Sequence, residues 1–155
     1  MPSYFRRTRC VELSTIEYLE RMIENSWSGV TVVKSFQQSY DEAVPVVCIR
    51  LDETFNGKLE IGSTTYSNTY TIIVDIFAKS DAQRLDLSDF IMEQIKGTWT
   101  YCNYAHNSGR TDIVGTPDGK VSLATVTYNR KVEIFDAVAS QDKFRHLIMF
   151  LVRKF

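Results

Sequence analysis

Gly115-Thr116-Pro117-Asp118-Gly119-Lys120 has the glycines and the lysine of a phosphate-binding loop. It is one residue shorter than GxxxxGK[ST], and Val121 stands where a hydroxyl would hold Mg²⁺. A β-rich run follows it, so no helix N-terminus would converge its amides on an anion. The segment reads as a β-turn at Pro117-Asp118-Gly119. His106 and His146 are the histidines of the chain, and neither has a partner at metal-binding spacing. His106 and Cys102 would make a thiol–imidazole pair only if they met, yet four strand residues span about 13 Å. There is no GxSxG elbow to present a serine. Asp75 is the most telling carboxylate, mid-strand between Ile73 and Phe77. Catalysis, plain solvent exposure and a subunit contact are all open to it. Two large apolar neighbours favour a face covered by another copy. Arg6, Arg7 and Arg9, beside Tyr4 and Phe5, suit a phosphate backbone, a docking arm onto a neighbour, or a solvated tail.

Positioning falls mainly to Thr69–Gly97. Tyr70, Ile72, Val74, Ile76 and Ala78 alternate onto one face, the period of a half-buried strand. Ser80 and Gln83 form a capping box, and Leu87, Phe90, Ile91 and Ile95 then recur at helical spacing up to Gly97. Upstream, Ser14 and Glu17 make a second capping box, with Leu13 and Tyr18 as its hydrophobic staple. A helix is expected from about Thr15 to Asn25, after an irregular arm at 1–11. Val30–Phe36 and Pro45–Leu51 are β-rich, and the polar stretch Gln37–Val44 between them reads as a loop. Asn56-Gly57 is the strongest hairpin signal. It makes Phe55, Asn56 and Gly57 the tip of a projecting arm, made acidic by Asp52, Glu53 and Glu60.

Thr98–Ala105 reads as a strand. In Val121–Phe135, Val126, Tyr128, Val132 and Ile134 share one face and polar residues the other. Phe144–Phe155 fits a helix or a strand; the strand is preferred because it closes an antiparallel hairpin with Val121–Phe135. The sum is an α+β domain over 1–155: a mostly antiparallel twisted sheet, two helices packed on one face and a projecting β-hairpin arm.

At 155 residues, with 44% hydrophobic and 24% charged residues, the composition is that of one globular domain. A net charge of −1 gives no general attraction to nucleic acid or to an anionic membrane. Cys10, Cys48 and Cys102 are odd in number and lack CxxC spacing, so they read as reduced thiols. No window reaches the roughly 18 apolar residues of a membrane span. The basic N-terminus has no apolar run behind it, so no signal peptide is expected.

The order of elements is similar to that of the tail terminator, or tail completion, proteins of tailed bacteriophages. The resemblance rests on an early capped helix, then Pro-Val-Val-Cys-Ile-Arg at 45–50 and a hairpin arm. Tyr-Thr-Ile-Ile-Val-Asp-Ile-Phe-Ala-Lys-Ser at 70–80, an amphipathic helix and an antiparallel finish complete it. It implies a virion protein assembled in the host cytoplasm as a ring, usually a hexamer, between the tail tube protein and the head–tail connector. Such a protein has no cofactor, metal or catalysed reaction, and DNA passes through its lumen without sequence-specific contact. Ile73, Asp75, Phe77 and the arm Phe55-Asn56-Gly57 would then touch neighbouring subunits, with Arg6, Arg7 and Arg9 as a candidate docking arm. A head-completion or adaptor neck protein is the alternative of the same class; a small hydrolase or nucleotide-binding enzyme is the rival of another.

Overall fold

The computed structural model describes residues 3–58, 66–133 and 143–155. Two helices, α1 (Arg7–Ser26) and α2 (Asp81–Ile95), lie against one sheet. Its strands are β1 (Thr31–Val33), β2 (Val46–Lys58), β3 (Tyr66–Phe77), β4 (Thr98–His106), β5 (Ile113–Lys131) and β6 (Arg145–Lys154), ordered β1-β2-β3-β6-β5-β4. Only the β1–β2 pairing is parallel. The expected α+β class is therefore found, with β6 a strand at the centre of the sheet.

Alternation sets the layers. Tyr70, Ile72, Val74 and Ile76 of β3 and Ile148, Phe150 and Val152 of β6 are buried in one core with Leu19 and Ile23 of α1 and Leu87, Ile91 and Ile95 of α2. Ser80 caps α2 as its sequence predicts, its Oγ accepting from the Gln83 amide at 3.1 Å. Gln83 Oε1 reaches back to the Lys79 amide at 2.8 Å.

Helix α1 departs from its expected bounds by starting at Arg7, so residues 7–11 are helical rather than irregular. Ser14 is not a cap. It lies buried in mid-helix, its Oγ accepting from the Cys102 amide at 3.0 Å. Cys10 Sγ accepts from the Tyr104 amide at 3.4 Å, and Thr15 Oγ1 from Trp99 Nε1 at 3.2 Å. Small polar groups on α1 thereby satisfy the outer edge of β4, which would otherwise present unpaired donors. Local capping statistics favoured Ser14 as a helix start; the tertiary contact with β4 claims it instead.

Two expected turns are strand. The β2–β3 ladder runs through Asn56↔Asn68 and Gly57↔Ser67 to Lys58↔Tyr66, so Asn56-Gly57 is not the tip. Residues 59–65, with Glu60 of the expected arm, lie outside the described residues, as do Ile134 and Phe135 of the expected β5 face. The arm itself is present: four rungs of β2–β3, from Phe55↔Thr69 outward, extend past Tyr70, the last β3 residue paired with β6. Pro117-Asp118-Gly119 is a bulge within β5, because Thr100↔Lys120 is followed by Cys102↔Pro117. Gly119 has φ +105°, and a Cβ there would stand 2.2 Å from the Phe155 carbonyl oxygen. Beyond this kink β5 is paired on both edges, with β4 as far as Ser122 and with β6 from Val121 onward.

Candidate functional site

The helices cover one face of the sheet, and register defines the other. Arg50, Ile73, Met149 and Tyr128 form one cross-strand row on the helix-free face. Cys48, Asp75, Leu147 and Arg130 form the next, and Val46, Phe77 and Arg145 a third. Thr71, Leu151 and Thr125 extend the face on the other side.

One end of this face is closed by the chain itself. Phe36, the end of the expected β-rich run, and Tyr40, from the stretch expected to be a polar loop, pack on Phe77 with ring centroids at 6.0 and 5.7 Å. Val46 and Cys48 complete that small second core. Asp75 lies beside it with 0% of its surface exposed. Arg50 Nη1 donates to Asp75 Oδ2 at 2.6 Å, while Arg145 donates to Oδ1 through Nε at 3.2 Å and Nη2 at 2.8 Å. The Arg145 guanidinium also lies 4.8 Å from the Phe36 ring centre. Asp75 is a carboxylate clamped by two arginines, with both of its oxygens occupied.

The expectation that Ile73, Asp75 and Phe77 await another copy is therefore corrected. Their exposures are 6%, 0% and 0% within a single chain. Burial of a charge requires compensating cations, and these come from β2 and β6, which only the sheet register brings to Asp75. The aromatics Phe36 and Tyr40 in an otherwise polar stretch were the available signal.

The open apolar surface lies one strand over. Along β6, His146, Ile148, Phe150 and Val152 are buried beneath the helices, whereas Leu147, Met149 and Leu151 are partly exposed on the opposite face. A strand apolar on both faces belongs between two layers. Among the described residues, one of those layers is missing over Leu147–Leu151. Phe55, Asn56 and Gly57 are placed only by their backbone pairing in the arm.

Elsewhere, His146 stands in a buried polar network. Arg84 Nη1 stands 2.7 Å from His146 Nδ1, and His146 Nε2 stands 2.6 Å from Asn129 Oδ1. Arginine only donates, so Nδ1 accepts and the ring proton sits on Nε2. Burial, then Arg84, lower the His146 pKa to about 4, which keeps the imidazole neutral. The network ties α2 to β6 and β5.

Two clefts of about 320 and 360 Å³ flank α1, sharing Glu17 and Arg21 in their walls. Glu17 accepts the Tyr104 hydroxyl proton, and Cys102 opens on the second cleft. Burial and then Glu17 push the Cys102 thiol up, the opposite of an activated nucleophile. The His106 ring instead meets Phe5 edge-on at 5.1 Å. Among the described residues no three metal-ligating side chains converge.

Arg6 is the N-cap of α1, with Arg7 and Arg9 in its first turn, all exposed. They form a helix start rather than a flexible arm. No protein-family model and no curated protein matches the chain.

Proposed function

We propose that the chain is a structural subunit of a tailed-bacteriophage neck, forming a ring that ends the tail tube and joins it to the head connector. The order of elements supports this reading, together with the arm that outruns the sheet. The observation that carries it is the partly exposed apolar row Leu147, Met149 and Leu151 on the helix-free face of β6, over which no further layer lies among the described residues. Three such side chains on a central strand, rimmed by Tyr128 and Thr125, have the character of an association surface. A ring follows if that patch meets a different patch on the next copy, because a heterologous contact repeats until it closes. The arm supplies a second patch by its position at the end of β2 and β3. No bond is made or broken in this role, and none of the occupied polar groups is needed as an acid, base or nucleophile.

Native mass spectrometry with sedimentation velocity tests the reading. A closed oligomer, a hexamer by resemblance to the tail terminators, is expected at micromolar concentration. A single species at the mass of one chain up to about 100 μM would overturn it.

A further inference from the structure

Charge is segregated along α1. Its first turn has Arg6 at the N-cap, then Arg7 and Arg9, and no acidic residue, while Glu12, Glu17, Glu20 and Glu24 follow. Cations at this end of a helix oppose its dipole, so helix stability does not account for them. The fold adds to the cluster from two other elements. The Phe5 amide donates to the Tyr104 carbonyl at 2.8 Å, which fixes the segment before α1 against β4. The Arg9 guanidinium lies 3.7 Å from the Phe5 ring centre, and the same ring meets His106. Beyond His106, the β4–β5 turn presents Arg110, held at φ 56°. Ser3, Tyr4, Phe5, His106 and Arg110 line a cleft of about 400 Å³ there. Lys154 of β6 lies 4.9 Å from the Tyr101 ring centre, on the β4 edge that α1 covers.

Arg6, Arg7, Arg9, Arg110 and Lys154 form no ion pair with any described carboxylate. The acidic groups on adjoining elements have other partners. Glu12 accepts from the Leu51 amide, and Asp118 from Asn103. Asp112, in the same turn as Arg110, is the nearest in sequence, and with Glu12 and Asp118 it offsets only part of the five positive charges.

We propose that Arg6, Arg7, Arg9, Arg110 and Lys154 form a binding site for the phosphate backbone of nucleic acid. Arg6, Arg7 and Arg9 come from the start of α1, Arg110 from the turn that lines the cleft and Lys154 from β6, so the charges match a row of anions rather than one carboxylate. Phe5 is already engaged by Arg9 and His106, so its ring is not a free apolar anchor for a protein partner. Contacts of this kind hold a backbone without reading bases. The inference deepens the neck-ring reading by naming the end of each subunit that would meet DNA in the lumen; binding itself is measurable on the subunit whatever its oligomeric state.

The test is fluorescence anisotropy with a labelled 30-base-pair DNA duplex. Four to five phosphate contacts predict a loss of affinity of about 10²- to 10³-fold between 50 and 200 mM salt. The variant Arg6→Gln, Arg7→Gln, Arg9→Gln, Arg110→Gln is expected to lose at least about 30-fold at 50 mM salt with its circular dichroism unchanged. Lys154→Gln alone, away from the helix start, should lower the salt slope by about one. Undetectable duplex binding at 50 mM salt, wild-type affinity in the quadruple variant, or equal displacement by polyglutamate would each overturn the site. A closed ring that ignores DNA sinks this site and leaves the ring reading standing. A monomer with arginine-dependent DNA binding does the reverse.

Discussion

Burying a carboxylate within a sheet is unfavourable unless cations meet it, and Asp75 is met on both oxygens. Removing it leaves Arg145, itself largely covered, beside Phe36 and Phe77 with its charge uncompensated. Asp75→Ala is therefore expected to destabilise the fold by about 3 kcal/mol or more, measured by urea unfolding. A loss below about 1 kcal/mol would show that the clamp contributes little. His146 makes a second residue-scale case. The unfolded chain takes up a proton near pH 6.5 and the folded one only near 4, so the folded state binds fewer protons between those values. Stability from this group is complete above pH 6.5 and is lost as the pH falls toward 4. His146→Gln should flatten that part of the stability–pH curve relative to the wild-type chain. Matching slopes in the two proteins would disprove the assignment.

At the scale of elements, β5 is one chain segment serving two partners, and past the bulge at Pro117–Gly119 it pairs with both at Val121 and Ser122. Gly119 has a left-handed φ and no room for a Cβ against Phe155, whose amide and carbonyl both bond to Lys120. Gly119→Ala is expected to cost about 1–3 kcal/mol, measured as a shift of the denaturant midpoint. An unchanged midpoint would mean that the β5–β6 junction relaxes freely. The Ser80 cap was readable because its partners lie within four residues. Ser14 was misread because its partner, the Cys102 amide, comes from β4. The same distinction separates the helix of α2 from the turns expected at Asn56-Gly57 and Pro117-Asp118-Gly119. Each has good turn chemistry, but long-range strand pairing holds it extended.

Across the whole molecule, the two sheet faces have different fates. One lies under α1 and α2. The other is sealed at its Phe77 end by Phe36 and Tyr40 and is open over Leu147–Leu151. In the proposed ring, Met149→Glu places a charge in the subunit contact while Tyr128 and Arg50 in the same row tolerate it in the single chain. The expected result is a folded protein of unchanged far-ultraviolet circular dichroism at the mass of one subunit. Rings persisting in this variant would move the contact elsewhere, to the arm or to a helix face.

The sequence by itself determined the α+β class, the apolar alternation of β3 and the capped helix α2, because these depend on periods of two and 3.6 and on contacts a few residues apart. It also placed an apolar second face somewhere on the sheet. Tertiary structure alone decided which strand leaves that face open. Strand order and register bring Arg50 and Arg145 to Asp75, fold Phe36 onto Phe77, and set His106 of β4 against Phe5 ahead of α1. Those meetings join residues tens of positions apart, and no local pattern along the chain encodes them.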